Sequence, residues 1–257
     1  MADTPFLGRF VWYELITTDM KAAEAFYSEV VGWTVAPFPG AAQPYDLWHR
    51  AGNVPIGGVM KVPEGVNWPP HWVMYVGVPK IEDAVTRIER LGGKTLSEVI
   101  NVPTVGRLRV MLDPQGGMFA IYEPSSMPTT SEADAEVGDI AWRELYTTDA
   151  QAAMSFYTEL FGWRPTEAFD MGPMGQYYMF GRQFPLGGMM TKTGEMAHLP
   201  TFWGLYFRVP DVDAGAERVK AHGGKVLNGP MEVPGGDRIL QCMDTQGAAF
   251  SLYQRKG

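Results

Sequence analysis

The chain carries the same pattern of residues twice. Glu14-Leu15-Ile16-Thr17-Thr18-Asp19 returns as Glu144-Leu145-Tyr146-Thr147-Thr148-Asp149, an offset of 130. Phe26-Tyr27, Gly32-Trp33 and Gly57-Gly58 return at the same offset as Phe156-Tyr157, Gly162-Trp163 and Gly187-Gly188. Past that point the offset is 131: Trp72, Tyr75 and Val78 match Trp203, Tyr206 and Val209. Gly92-Gly93-Lys94 likewise matches Gly223-Gly224-Lys225, Asp113 matches Asp244, and Tyr122 matches Tyr253. Self-similarity at a fixed period means that one architectural unit has been built twice. The expected organisation is one domain over 6–124, a linker over 125–137 rich in Ser, Thr, Pro and acids, and a second domain over 138–255.

A chain of 257 residues accommodates two such domains, and 46% hydrophobic against 19% charged residues supplies cores for both. No apolar run reaches the roughly 20 residues of a membrane span, so no membrane partner is expected. The formal charge of −8, without clustered Lys and Arg, argues against nucleic acid. The start of the chain lacks a signal-peptide pattern, and Cys242 alone cannot form an intrachain disulfide. A cytoplasmic location is expected.

Each half has an internal rhythm. A strand over 10–17 leads to a helix capped by Asp19, with Ala22, Ala23, Phe26, Tyr27 and Val30 at helical spacing and Gly32 as the stop. Strands are expected over 33–35, 45–50 and 55–61. A second cycle has a strand over 72–78, a helix over 81–91, and strands over 95–99, 108–112 and 118–122. The pattern is βαβββ twice per half and four times in the chain, an α+β class.

Asp19…Phe26-Tyr27…Gly32-Trp33 at the start and Asp113-Pro114-Gln115-Gly116 near the end of the first half resemble the opening and closing motifs of one family. This is the vicinal oxygen chelate superfamily of glyoxalases, bleomycin-resistance proteins and dioxygenases. The Trp-x-Glu-Leu start and the Gly-Gly-Val/Met-Met strand are similar to its two-domain CFP30B-like subgroup. The resemblance implies paired βαβββ units, each pair forming a curved mixed sheet around a concave pocket. In metal-dependent members, His, Gln or Glu side chains on four strands hold a divalent ion. Aligned on Phe26-Tyr27 and Asp113, those positions fall on Trp12, Gly57-Gly58, about Val73, and Ala120. In the second half they fall on Trp142, Gly187-Gly188, Gly204 and Ser251. Indole nitrogen has no lone pair to give. His49, His71, His198 and His222 lack partners in the repeat, and most of them are expected on surfaces or in loops. No metal and no other cofactor is expected.

Alternate residues of a strand share a face, so Glu14 joins Trp12 and Glu144 joins Trp142 on the face turned to the concavity. A carboxylate in an aromatic pocket is a candidate general base or acid, and pairing with an arginine or with backbone N–H groups is the structural alternative. Tyr75, Ala120, Tyr122, Tyr206, Arg208, Ser251 and Tyr253 have the inward parity of a small-ligand pocket. Phe26, Phe156, Trp33 and Trp163 are expected in the core. The two glycine pairs mark a bulge, a close approach, or room added to the cavity.

The reading preferred is a metal-independent protein that binds or transforms a small, partly apolar or aromatic molecule in two related pockets, as bleomycin-resistance-type members bind without turnover. Two alternatives make it an enzyme: a lyase, isomerase or oxygenase-like protein with Glu14 or Glu144 as base, or a divergent metal-dependent lyase or ring-cleaving dioxygenase. A fourth is a non-catalytic interaction protein with vestigial pockets. Because the second copy is supplied in the same chain, a monomer is expected, with a homodimer as the alternative.

Overall fold

A computed structural model describes residues 6–39, 41, 43–126 and 135–257. The linker residues 127–134 therefore lie outside the described residues.

The first repeat runs β1 (Phe10–Thr17), α1 (Met20–Val31), β2 (Thr34–Pro37), β3 (Tyr45–Arg50), β4 (Val54–Lys61), β5 (His71–Gly77), α2 (Ile81–Arg90), β6 (Lys94–Thr95), β7 (Ile100–Val102), β8 (Gly106–Leu112) and β9 (Met118–Pro124). The second runs β10 (Ile140–Thr147), α3 (Ala150–Phe161), β11 (Arg164–Asp170), β12 (Gln176–Gly181), β13 (Pro185–Thr191), β14 (Phe202–Arg208), α4 (Val212–Ala221), β15 (Lys225–Glu232), β16 (Arg238–Met243) and β17 (Ala249–Gln254). Each repeat makes one mixed sheet, ordered β2-β3-β4-β1-β5-β9-β8-β6 with β7 on β8, and β11-β12-β13-β10-β14-β17-β16-β15. No helix among the described residues is long and apolar enough to cross a membrane.

Local chemistry sets the element ends. The Asp19 and Asp149 carboxylates accept from the Ala22 and Ala152 amides at 3.1 and 2.9 Å, satisfying free N–H groups at the helix starts. Gly32 and Gly162 end the same helices in the left-handed region, φ 88° and 73°, where a side chain would be strained. The one strand expected over 95–99 is instead split into β6 and β7. Ser97 causes the break: its hydroxyl accepts from the Val110 amide at 3.0 Å, and its carbonyl accepts from Arg109 Nε at 2.8 Å, so side chains replace two rungs of the ladder.

Packing divides the chain into two compact units that cut across the repeats. One comprises Met1–Val11, Met74–Ala133 and Arg143–Trp203; the other comprises Trp12–Val73, Asp134–Trp142 and Gly204–Gly257. Each unit thus holds half of each repeat, and the motifs that define the repeat serve to join those halves. In the second unit, Trp72 Nε1 donates to the Tyr27 hydroxyl at 3.0 Å, and that hydroxyl donates to Asp244 Oδ2 at 3.1 Å. Asp244 Oδ1 meanwhile accepts from the Gln246 and Ala248 amides, closing the turn before β17. In the first unit, Trp203 Nε1 donates to Tyr157 at 3.2 Å, and Tyr157 donates to Asp113 Oδ2 at 2.9 Å. Asp113 Oδ1 accepts from the Gln115 and Gly117 amides.

The tryptophans of the Gly-Trp motif make a second pair of stitches. Trp33 Nε1 donates to the Gly138 carbonyl just before β10, and Trp163 Nε1 donates to the Gly8 carbonyl just before β1, at 2.8 and 2.7 Å. Phe26, Trp33, Phe156 and Trp163 are buried, as expected from sequence. Tyr27 stacks on Trp33 with ring centres 5.7 Å apart, and Tyr157 on Trp163 at 5.4 Å, so a polar chain of bonds runs through an aromatic core.

Burial and the neighbouring aspartate push the Tyr27 and Tyr157 hydroxyls well above the usual phenol range. A group whose pKa is raised by folding contributes stability below its unfolded pKa and loses it as pH rises. The protein is therefore expected to lose stability as pH climbs past about 10, where unfolded tyrosines ionise. Tyr157→Phe strands a buried indole N–H and a carboxylate oxygen. It should cost about 1–3 kcal/mol in urea unfolding at neutral pH and flatten the alkaline loss. A change below about 0.5 kcal/mol, the range of inert surface substitutions, would refute the role given to the hydroxyl.

Candidate functional site

Strand register fixes what shares a face. In the β1–β4 parallel pair Glu14 lies opposite Gly58, and in β10–β13 Glu144 lies opposite Gly188. Tyr45 and Tyr177 pair with Met60 and Met190, two residues beyond those glycines, and so project on the same face. Each ring lies back across the glycine. A Cβ on Gly58 would lie 2.0 Å from the Tyr45 hydroxyl oxygen, and one on Gly188 would lie 2.0 Å from that of Tyr177. The preceding glycine of each pair is pressed against the neighbouring strand: a Cβ on Gly57 would be 2.4 Å from the Tyr13 carbonyl, and one on Gly187 2.2 Å from the Arg143 carbonyl. The glycine pairs are thus close-approach positions. At Gly58 and Gly188 the room they leave is filled by a tyrosine rather than added to a cavity.

In the first repeat the tyrosine completes a relay. Trp12 Nε1 donates to the Tyr45 oxygen at 2.8 Å, and the Tyr45 hydroxyl bonds the Glu14 carboxylate. Burial first, and the Glu14 charge second, raise the Tyr45 pKa far above its ordinary value, so the proton stays on tyrosine and the hydroxyl acts as donor. Glu14 is 8% exposed, a carboxylate held in apolar surroundings by a directed bond. In the second repeat Glu144, 7% exposed, accepts from the Tyr146 hydroxyl two residues along its own strand. Tyr146 also stacks on Phe202, with ring centres 4.7 Å apart and planes 16° from parallel. The first repeat has Ile16 and His71 at the corresponding positions.

The remaining expected site residues fall into place unevenly. Glu14 and Trp12 lie in one compact unit with Trp142, Tyr206, Arg208, Ser251 and Tyr253, whereas Tyr75, Ala120, Tyr122 and Glu144 lie in the other. Tyr75 is buried opposite Ala120 in the β5–β9 ladder, and Tyr206 opposite Ser251 in β14–β17, where Arg208 also faces Tyr253. The hydroxyls of Tyr122 and Tyr253 are engaged by the fold, donating to the Val105 carbonyl at 2.7 Å and to Asp237 at 2.5 Å. Arg208 donates to the Ala135 carbonyl. A surface cavity of about 330 Å³ lined by Leu91, Gln115, Phe156 and Glu159 contains none of the expected site residues.

The positions at which the fold would place metal ligands do not fit a metal. Trp12 presents an N–H that is spent on Tyr45, Gly58 is covered by a phenol ring, and Val73 and Ala120 have no donor atoms. Among the described residues no three His, Cys, Asp or Glu side chains gather as a metal would need.

Sequence reasoning missed five residues. Tyr45 and Tyr177 escaped because their reach across a glycine is a contact between strands, although the coincidence of Gly-Gly with an upstream Tyr is the signal that could reveal it. Two histidines depart from the expectation of surface or loop positions: His49 is buried on β3, and His71 is half-buried at the start of β5. His71 Nδ1 lies 2.7 Å from the Pro69 carbonyl, and its Nε2 is buried with no hydrogen-bond partner among the described residues. Burial lowers its pKa, favouring the neutral ring. Lys192, 7% exposed, donates to the Leu199 carbonyl; a lysine after a strand end gives no sequence signal of burial.

Gly58→Ala should cost about 1–3 kcal/mol in chemical denaturation, since a methyl is driven into the Tyr45 ring. Tyr45→Ala should recover part of that loss in the double mutant. Additive losses would disprove the packing of Tyr45 on Gly58.

Family models match both halves: residues 12–122 match a glyoxalase-like domain, and residues 139–252 match the glyoxalase/bleomycin resistance protein/dioxygenase superfamily. The chain is 27% identical over 247 residues to CFP32 of Mycobacterium tuberculosis, named as a glyoxylase, covering 95% of this chain and 93% of the relative. It is 28% identical over 264 residues to the anthracycline biosynthesis protein DnrV of Streptomyces peucetius, covering 96% and 93%. Among solved structures, the 2,3-dioxygenase LapB of Pseudomonas sp. KL28 superposes with a TM-score of 0.67 at 11% identity, over 98% of this chain and 94% of that one. The Mn(II)-bound glyoxalase of Novosphingobium aromaticivorans gives 0.63 at 17% identity, over 97% and 82%. The shared fold is a tandem of domains built on curved mixed sheets. The chain belongs to the glyoxalase/bleomycin resistance protein/dioxygenase superfamily.

Proposed function

We propose that the protein binds a small, partly aromatic molecule on the faces that carry Glu14 and Glu144, without a metal ion. The observation that carries this reading is the replacement of ligand chemistry by phenol chemistry in both repeats: Tyr45 over Gly58 and Tyr177 over Gly188. Where a metal would polarise a substrate oxygen, the chain offers a buried carboxylate oriented by tyrosine, Tyr45 for Glu14 and Tyr146 for Glu144. Such a carboxylate accepts an N–H or O–H of a bound molecule and serves as a base for a proton delivered in the right direction. The similarity to DnrV, named for anthracycline biosynthesis, favours a polycyclic aromatic among the candidate molecules. The Tyr146–Phe202 stack is a flat wall of the kind such a ring system packs against. The in-chain partners of Tyr27 and Tyr157 favour a monomer, because each repeat already finds its counterpart.

Thermal shift of the purified protein with an anthracycline-type aglycone tests the binding. The melting temperature should rise by several degrees, with the same rise after dialysis against excess chelator, and elemental analysis should find metal well below one ion per chain. Stoichiometric metal whose removal abolishes the shift would replace this reading with the metal-dependent one. If product accumulates with any ligand, Glu14→Gln and Glu144→Gln should each lower turnover by about 100-fold or more at their own site, the usual contribution of a general base. Turnover left intact in the double variant would rule out Glu14 and Glu144 as the general base.

A further inference from the structure

We infer that the second repeat holds an anion site at Lys192, which selects an aromatic carboxylic acid. The inference deepens the binding reading above for one of the two faces and rests on it.

Lys192 follows β13 and prolongs its ladder, its amide donating to the Thr147 carbonyl at 2.8 Å. The preceding Thr191 turns its hydroxyl to the start of α3, accepting from the Ala150 amide at 3.1 Å. Strand alternation then puts Gly188, Met190 and Lys192 on the face opposite the helix. The register of β10 with β13 adds Glu144 and Tyr146 to that same face. An ammonium whose side chain is 7% exposed thus lies along the row that carries the carboxylate and the stacked rings.

Its charge is incompletely matched. The ammonium has three N–H donors, and within the chain it gives one to the Leu199 carbonyl. Among the described residues no carboxylate comes within 4.0 Å of it. Buried charges are ordinarily paired, because desolvation is recovered only by an opposite charge with good hydrogen bonds. A carboxylate brought by a ligand fits that need, and the Tyr146–Phe202 stack, whose tyrosine shares that face, suits a flat ring. Glu144 is already answered by the Tyr146 hydroxyl. The first repeat lacks the device: Val62 makes the same backbone bond to Thr17 at 2.9 Å, but its side chain is apolar. The two faces of one chain therefore differ in charge preference.

The probes are 1-naphthoate and its neutral isostere 1-naphthamide, titrated into the full chain by calorimetry with melting curves in parallel. A charge-assisted bond to a buried ammonium should make the acid bind roughly tenfold or more tighter than the amide. Lys192→Met should erase that preference while leaving amide binding unchanged, and Lys192→Arg should keep most of it. Equal affinity of acid and amide for the unmodified protein overturns the anion site and leaves the binding reading standing, and this arm needs no variant to fold. A preference that survives in Lys192→Met overturns it as well. If neither probe binds at all, the anion site and the aromatic binding reading fall together.

Discussion

A tyrosine hydroxyl placed between an indole N–H and a carboxylate holds each half of this molecule together. Tyr27 and Tyr157 are wholly buried, and each connects the helix of one repeat to the closing turn of the other through Asp244 or Asp113. The bond is directional where the surrounding aromatic contacts are not, so it selects one arrangement among many that would bury the same area. It also explains why the family-defining residues recur: Phe-Tyr, Gly-Trp and the Asp turn are parts of one joint. A duplicated chain can exchange these parts between its own copies.

The same tactic recurs at the candidate site. In both repeats a phenol lies over a strand glycine, and in the first repeat its hydroxyl also bonds the nearby carboxylate. The two copies then diverge. The first pairs Glu14 with a relay from Trp12 and has His71 at the position that Phe202 occupies in the second. The second surrounds Glu144 with a stacked tyrosine and phenylalanine and adds the buried Lys192 on the same face. Duplication has preserved the joint residues together with the tryptophan, glutamate and tyrosine of each face, while Ile16, Val62 and His71 of the first copy stand where the second has Tyr146, Lys192 and Phe202.

The elements were largely legible in the sequence because their signals are local. Asp19, Gly32 and the spacing of Ala23, Phe26, Tyr27 and Val30 mark α1 without reference to anything distant. The split of the expected 95–99 strand depended on Ser97 finding Val110, a pairing that no window of local periodicity contains. The recurrence of residues gave the two sheets, yet the compact units exchange halves between repeats, since repeat patterns carry no information on which helix packs on which. At the site, strand parity alone puts Glu14 on the face of Trp12 and Glu144 on that of Trp142. Tyr45, His71 and Lys192 were hidden, because their burial follows from loops and neighbouring strands rather than from their own spacing.

Each repeat, on this account, lacks a stable fold as an isolated monomer, because its helix tyrosine and its turn aspartate face partners from the other copy. Sedimentation and near-ultraviolet circular dichroism of separately produced 6–126 and 135–257 measure this directly. Each fragment should be unfolded or self-associated alone, and an equimolar mixture should recover the tertiary signal of the intact chain. A fragment that sediments as a monomer with native-like near-ultraviolet bands and a cooperative transition would contradict it.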